Sequence, residues 1–258
     1  MLEVNGVSAG YGNVHILDQV SIEAKPNQIT VIVGPNGSGK STLLKTIAGL
    51  TKIYSGSISL DGKMISGLPP HQIARLGIAY LPQIESTFTH LTVAENFKMA
   101  SYTVGRLEYE ERLARAFDVF PKLSVYMNSK VSNLSGGERQ MVAMTMALLR
   151  KPNTIMFDEP TANLAPIVAT QVLNTILYLS KGSDTTILLV EQNATRALQI
   201  GQYAYLFVSG RLAFRGTSKE LLEHKELGRL YLGVNVLPET QSGVDREAPT
   251  ARPNEDGP

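Results

Sequence analysis

Gly34-Pro35-Asn36-Gly37-Ser38-Gly39-Lys40-Ser41-Thr42 fits the pattern G-x-x-x-x-G-K-[ST] and follows an apolar run, Ile29-Thr30-Val31-Ile32-Val33, that reads as a buried strand. A strand, a glycine-rich turn and a helix starting near Ser41 make a phosphate loop, so the chain is expected to bind a nucleoside triphosphate. The glycines let successive backbone N–H groups close around phosphate oxygens, and the dipole of the following helix adds to the attraction. In such a loop Lys40 reaches the β- and γ-phosphates, and the Ser41 hydroxyl takes one position on Mg²⁺, an ion that prefers oxygen ligands.

Around this unit, from Leu2 to about Asp61, the pattern is of short strands and turns, including Val20–Ala24 and Ser57–Leu60 before the turn pair Asp61-Gly62. It predicts an antiparallel sheet beside a nucleotide core. Pro70 opens a short helix through Leu76, and Ile78–Leu81 reads as another core strand stopped by Pro82. Between Thr92 and Arg150 helical spacing takes over, with a capping box at Thr92 and Glu95 and an amphipathic helix from Glu108 to Phe120. Strands return at Thr154–Phe157 and Thr186–Val190, separated by a helix from about Ile167 to Ser180, which requires a parallel pair. A hairpin about Ser209-Gly210 and a helix near Lys219 to Glu226 follow. The fold class is thus α/β, a phosphate-loop NTPase core with an antiparallel β subdomain and an inserted helical subdomain, about 84–150.

The strand Thr154–Phe157 ends in two adjacent acids, where a phosphate-loop NTPase places its Walker B carboxylate. Alternation along a strand gives the two acids different faces and different work. Asp158 is expected to assist the Mg²⁺ shell, and Glu159 to accept a proton from the water that attacks the γ-phosphate. A third feature lies upstream: Ser135-Gly136-Gly137-Glu138 opens an almost wholly apolar stretch, Met141–Leu149, which reads as a buried helix. Ser135 can cap this helix, and the two glycines leave N–H groups open to an anion. Two phosphate-binding helix starts about 95 residues apart, one of them without a lysine, are hard to set around one nucleotide in one molecule. A head-to-tail two-fold dimer solves this, with the phosphate loop of each copy facing the serine-diglycine turn of the other.

Together Gly34 to Thr42, Leu134-Ser135-Gly136-Gly137-Glu138-Arg139-Gln140 and Asp158-Glu159-Pro160-Thr161 resemble the Walker A, signature and Walker B motifs of ATP-binding-cassette ATPases, in order and at similar spacing. The resemblance covers residues 2 to about 235. It implies that Tyr11 stacks on adenine and that Gln83 senses the γ-phosphate, completes the metal shell with Ser41 and Asp158, and transmits to a membrane partner. Read without it, Tyr11 is an aromatic at a strand end and Gln83 a loop amide.

Two positions depart from the usual cassette: Ala165 stands where an Asp is common after Walker B, and Gln192 where a His ends the next strand. Gln192 can donate a hydrogen bond to the γ-phosphate but cannot shuttle a proton, which leaves Glu159 as the base. These departures, with Asn163-Leu164-Ala165-Pro166, Leu189–Ala194 and Tyr231-Leu232-Gly233, resemble the ATPases of branched-chain amino acid uptake systems, the LivF-type component in particular, with urea and short-amide relatives nearby. Gln83 is a mild departure, since a Glu is common there. The resemblance implies a second, related but non-identical cassette, two transmembrane permease subunits, an external solute-binding protein acting indirectly, and a peripheral place on the cytoplasmic face of the membrane. The segment from Ile84 to Lys130, with Phe88, Phe97 and Tyr102, is the expected docking surface, although those aromatics equally suit a subdomain core.

Composition sets the bounds. The chain has 258 residues, 43% of them hydrophobic, enough for one large domain. Without cysteine there is no disulfide or thiolate chemistry, and no run approaches the apolar length of a membrane span. From Val236 onward five acids face two bases, and the composition predicts a disordered tail, 236–258. The net charge of +1 gives no basic face for nucleic acid. A soluble cassette acting on DNA or ribosomes is the alternative, and a phosphate-loop kinase a third that leaves the signature segment without a purpose.

Overall fold

The computed structural model describes residues 1–83, 86–181 and 184–227. The expected tail 236–258, Tyr231-Leu232-Gly233 and Ile84 lie outside the described residues. Two sheets organise the chain. The first joins β1 (Leu2–Tyr11), β2 (Val14–Ala24), β4 (Lys52–Leu60) and β5 (Lys63–Met64) as an antiparallel sheet in the order β2-β1-β4-β5. The second contains β3 (Ile29–Val33), β6 (Ile78–Leu81), β7 (Thr154–Asp158), β8 (Thr186–Val190), β9 (Tyr203–Val208) and β10 (Arg211–Thr217) in the order β10-β9-β3-β8-β7-β6. All its neighbours are parallel except β10 on β9.

The core strands β3, β7 and β8 are buried at every position, because both faces of the parallel sheet are covered. Ile155, Phe157, Ile187 and Leu189 point to one side, packing with α3 (Val93–Ala100), α5 (Gly136–Leu148), α6 (Pro166–Lys181) and α7 (Ala194–Ile200). Met156, Leu188 and Val190 point to the other, against α1 (Lys40–Ile47) and the antiparallel sheet. Between β6 and β7 the chain is helical, with α3, α4 (Arg106–Val119), α5 and two short 3-10 turns. A short helix, α2 (Pro70–Arg75), precedes β6, and two more, α8 (Ser218–Glu223) and α9 (Lys225–Leu227), divide the expected Lys219–Glu226 helix at His224, whose ψ of 95° leaves the helical region.

Thr92 caps α3 with the reciprocal Glu95 bond that the sequence predicts, an arrangement that contributes about 1 kcal/mol. The aromatics of this region divide. Phe97 is fully buried and belongs to the core, whereas Phe88 and Tyr102 are exposed. As an element of a docking surface Phe97 is therefore excluded, because α3 turns it inward against the sheet. The middle of α5 is buried as expected, but Met141, Met146, Ala147 and Leu148 are only half covered.

Candidate active site

Because β3, β6, β7 and β8 run parallel, their C-terminal ends share one edge of the sheet, where open α/β folds bind ligands. Register brings the parts together: Leu81 pairs with Phe157, Asp158 with Val190, and Ile32 with Val190. Gly34, Gln83, Glu159 and Gln192 therefore leave the sheet side by side.

Gly34 (φ 146°) and Gly39 (φ 103°) take conformations that suit only glycine. A Cβ on Gly34 would also lie 2.2 Å from the Phe207 carbonyl oxygen. The loop closes over Lys40, which is 4% exposed and donates to the carbonyls of Gly34 (2.8 Å) and Pro35 (2.9 Å). Burial pulls the Lys40 ammonium below the usual lysine range, opposed by the charges of Glu159 and Asp158. No side chain caps α1 and its first turn holds no acid. Its first N–H groups, which have no partner within the helix, are thus open toward the loop. Among the described residues the buried Ser38 hydroxyl has no hydrogen-bond partner there. This uncapped, lysine-bearing cradle fits a phosphate.

The Ser41 hydroxyl donates to Asp158 Oδ1 (2.7 Å), so the two expected metal residues meet as an oxygen pair suited to Mg²⁺. Asp158 is 3% exposed and also accepts from the Tyr80 hydroxyl at Oδ2 (2.9 Å). The third expected metal residue, Gln83, turns elsewhere, its amide donating to Glu159 Oε2 (3.1 Å). Glu159 has left the strand altogether. It is in the left-handed region (φ 49°) and its N–H donates to the Val190 carbonyl (2.9 Å). The two acids are therefore separated by a backbone turn rather than by strand alternation, and such conformations gather at functional sites. Gln192 is exposed beyond β8, and among the described residues no hydrogen bond joins its amide to the cluster. Tyr11 is 44% exposed at the end of β1. The turn after it is tied down by Tyr54, whose hydroxyl donates to the Gly12 carbonyl (3.0 Å) and whose ring stacks on His15.

The signature segment is built differently. Ser135 caps α5 in a closed box: its N–H and hydroxyl donate to Glu138 Oε2 (both 2.8 Å), and its oxygen accepts from the Glu138 N–H. These bonds, with the Tyr126 hydroxyl, hold the Glu138 carboxyl below the usual range. Of the two glycines, Gly136 is exposed. Gly137 is buried, and a Cβ there would lie 2.4 Å from Val168 Cγ1 on α6. The second glycine is thus required by helix packing, a reason that anion binding alone does not supply.

Sequence reasoning missed Tyr80 and Glu191. Glu191 is 2% exposed, accepts from the Thr161 N–H (3.0 Å), and burial pushes its carboxyl up. A phenol inside the core strand Ile78–Leu81 and an acid directly after the apolar strand Thr186–Val190 were the available signals, since a buried polar tip needs a partner.

A phosphate cradle, a buried lysine and a paired hydroxyl and carboxylate at the strand ends define a phosphate-loop NTPase. The chain belongs to the ABC transporter family, whose model matches residues 17–162, and it is an ATP-binding cassette that hydrolyses ATP. It is 53% identical to the probable branched-chain amino acid transport ATP-binding protein LivF of Archaeoglobus fulgidus, over 91% of this chain and 99% of that one. It is 37% identical to the high-affinity branched-chain amino acid transport ATP-binding protein BraG of Pseudomonas aeruginosa, over 90% of this chain and all of the relative. A solved ATP-binding cassette of an ABC transporter in its ADP conformation superposes with a TM-score of 0.75 at 30% identity, covering 85% of this chain and 92% of that one. Among the described residues no helix is long and apolar enough to cross a membrane.

Proposed function

We propose that the chain is the ATP-hydrolysing subunit of an importer for branched-chain amino acids, seated on the cytoplasmic face of the membrane. The names of its relatives support the solute. The observation that carries the chemistry is the convergence of Lys40 and Ser41 on α1 with Asp158 and Glu159 at the end of β7, at one edge of the sheet.

In this reading the loop N–H groups and Lys40 hold the phosphates, and Tyr11 stacks on adenine. Ser41 and Asp158, with Gln83 nearby, would hold Mg²⁺, which would supply positive charge against the phosphate oxygens. Glu159, steadied by the Gln83 amide, takes the proton of the attacking water, and Gln192 donates to the γ-phosphate. Ser135, Gly136, Gly137 and Glu138 meet the ATP of a partner cassette, a related but non-identical chain. ATP draws the pair together only insofar as it binds the closed state better than the open one.

Two permease subunits, fed by an external binding protein, complete the assembly. Their contact falls on the exposed Phe88 and Tyr102 and on a cleft of about 290 Å³ lined by Ile73, Tyr80, Pro82, Ala143 and Met146. Ser86 and Ala100, which also line it, are two residues from those aromatics.

Glu159→Gln tests the assignment. It is expected to keep ATP binding, to lower turnover by roughly 100-fold or more, and to trap a nucleotide-bound dimer. Turnover equal to the parent would refute Glu159 as the base.

A further inference from the structure

We propose that Tyr80 is a positioning residue for the metal carboxylate, holding Asp158 in the orientation in which it binds the nucleotide's divalent cation. The proposal rests on the reading of Asp158 as a metal residue. β6 lies parallel to β7 with Tyr80 opposite Met156, and Tyr80 packs against the same hydrophobic cluster as Met156. Side chains two residues apart along a strand share a face, so Asp158 is the next residue on that face of β7. The long Tyr80 side chain reaches it diagonally, donating at 2.9 Å to Oδ2, while Ser41 on α1 donates at 2.7 Å to Oδ1.

One hydrogen bond thus reaches each carboxylate oxygen, one from α1 and one from β6. An ionised carboxylate has about four lone-pair positions, so a cation can still be accommodated. Removing the Tyr80 hydroxyl would leave a buried oxygen without its partner and free the terminal torsion of Asp158, which is broad and roughly two-fold. Partners that orient metal-binding carboxylates in this way typically cost 10–100-fold in metal affinity when lost.

The test is Mn²⁺ titration, followed by electron paramagnetic resonance, into the full-length chain loaded with the slowly cleaved analogue AMP-PNP. The parent, Tyr80→Phe and Asp158→Asn are compared, each also assayed for AMP-PNP binding in excess EDTA. Tyr80→Phe is expected to weaken Mn²⁺ binding by about 10-fold, with metal-free nucleotide affinity within about twofold of the parent. Parental Mn²⁺ affinity in Tyr80→Phe alongside weakened binding in Asp158→Asn would overturn the proposal and leave the Asp158 reading intact. Parental affinity in both variants would overturn both. Loss of metal-free nucleotide binding in Tyr80→Phe would make the hydroxyl a structural tie and would also overturn the proposal.

Discussion

The starts of α1 and α5 both present glycines, yet they are built on opposite plans. At α1 the N-cap is Gly39, which supplies no capping side chain, and a buried lysine and two acids surround the loop. At α5 the cap is Ser135, whose hydrogen bonds are already closed on Glu138, and both Ser135 and Gly136 are exposed. The first start leaves the N–H groups of its first turn without a partner inside the helix or a capping side chain. The second is a helix end on the surface whose capping bonds close on the Glu138 carboxylate. In the proposed function this difference means that one molecule binds ATP and two hydrolyse it.

The strongest way to break the comparison is at Lys40. Lys40→Ala removes the buried cation and is expected to weaken ATP binding by at least roughly 100-fold, since charge-assisted contacts to phosphate are among the strongest a site makes. Equilibrium titration with a fluorescent nucleotide checks this, and parental affinity would show that the loop is not the phosphate site.

Ser135→Arg addresses the other start. With a bulky cation in the exposed turn, hydrolysis by the assembled pair is expected to fall by at least about tenfold, measured as phosphate release. Unchanged release would remove the turn from the reaction.

Smaller effects sharpen the distinction. Gly137→Ala forces a methyl group toward Val168, 2.4 Å away, and is expected to destabilise the fold by about 1–3 kcal/mol in thermal unfolding. A neutral outcome would mean that α6 yields readily. Glu138→Gln keeps an acceptor for Ser135 and removes the charge, so the nucleotide-trapped dimer of the Glu159→Gln variant is expected to tighten by a few-fold, read by sedimentation. Weaker association would show that the carboxylate contributes more to the box than its charge costs at the interface.

Much of this was written locally in the chain. β3, β6 and β8 end where largely apolar runs meet a glycine, a proline or an acid, and the phosphate loop is a contiguous pattern. β2 and β4 extend further toward their N-termini than Val20–Ala24 and Ser57–Leu60, because bulges at Gln19 and Gly56, both at positive φ, break the alternation that marks a strand. The site divides the same way. Ser41 and Asp158 were legible from their motifs, but the Tyr80 bond to Asp158 joins residues 78 positions apart and follows only from the register of β6 on β7. Gln83 was legible as a site residue, while its partner, Glu159, depends on a left-handed backbone turn that no local pattern announces.

The most direct measurement is the equilibrium affinity of the lone full-length Ser135→Arg chain for ATP. An affinity within about twofold of the parent is predicted, because the α1 cradle is complete within one molecule. Loss of ATP binding by that lone chain would contradict the division of labour between the two helix starts.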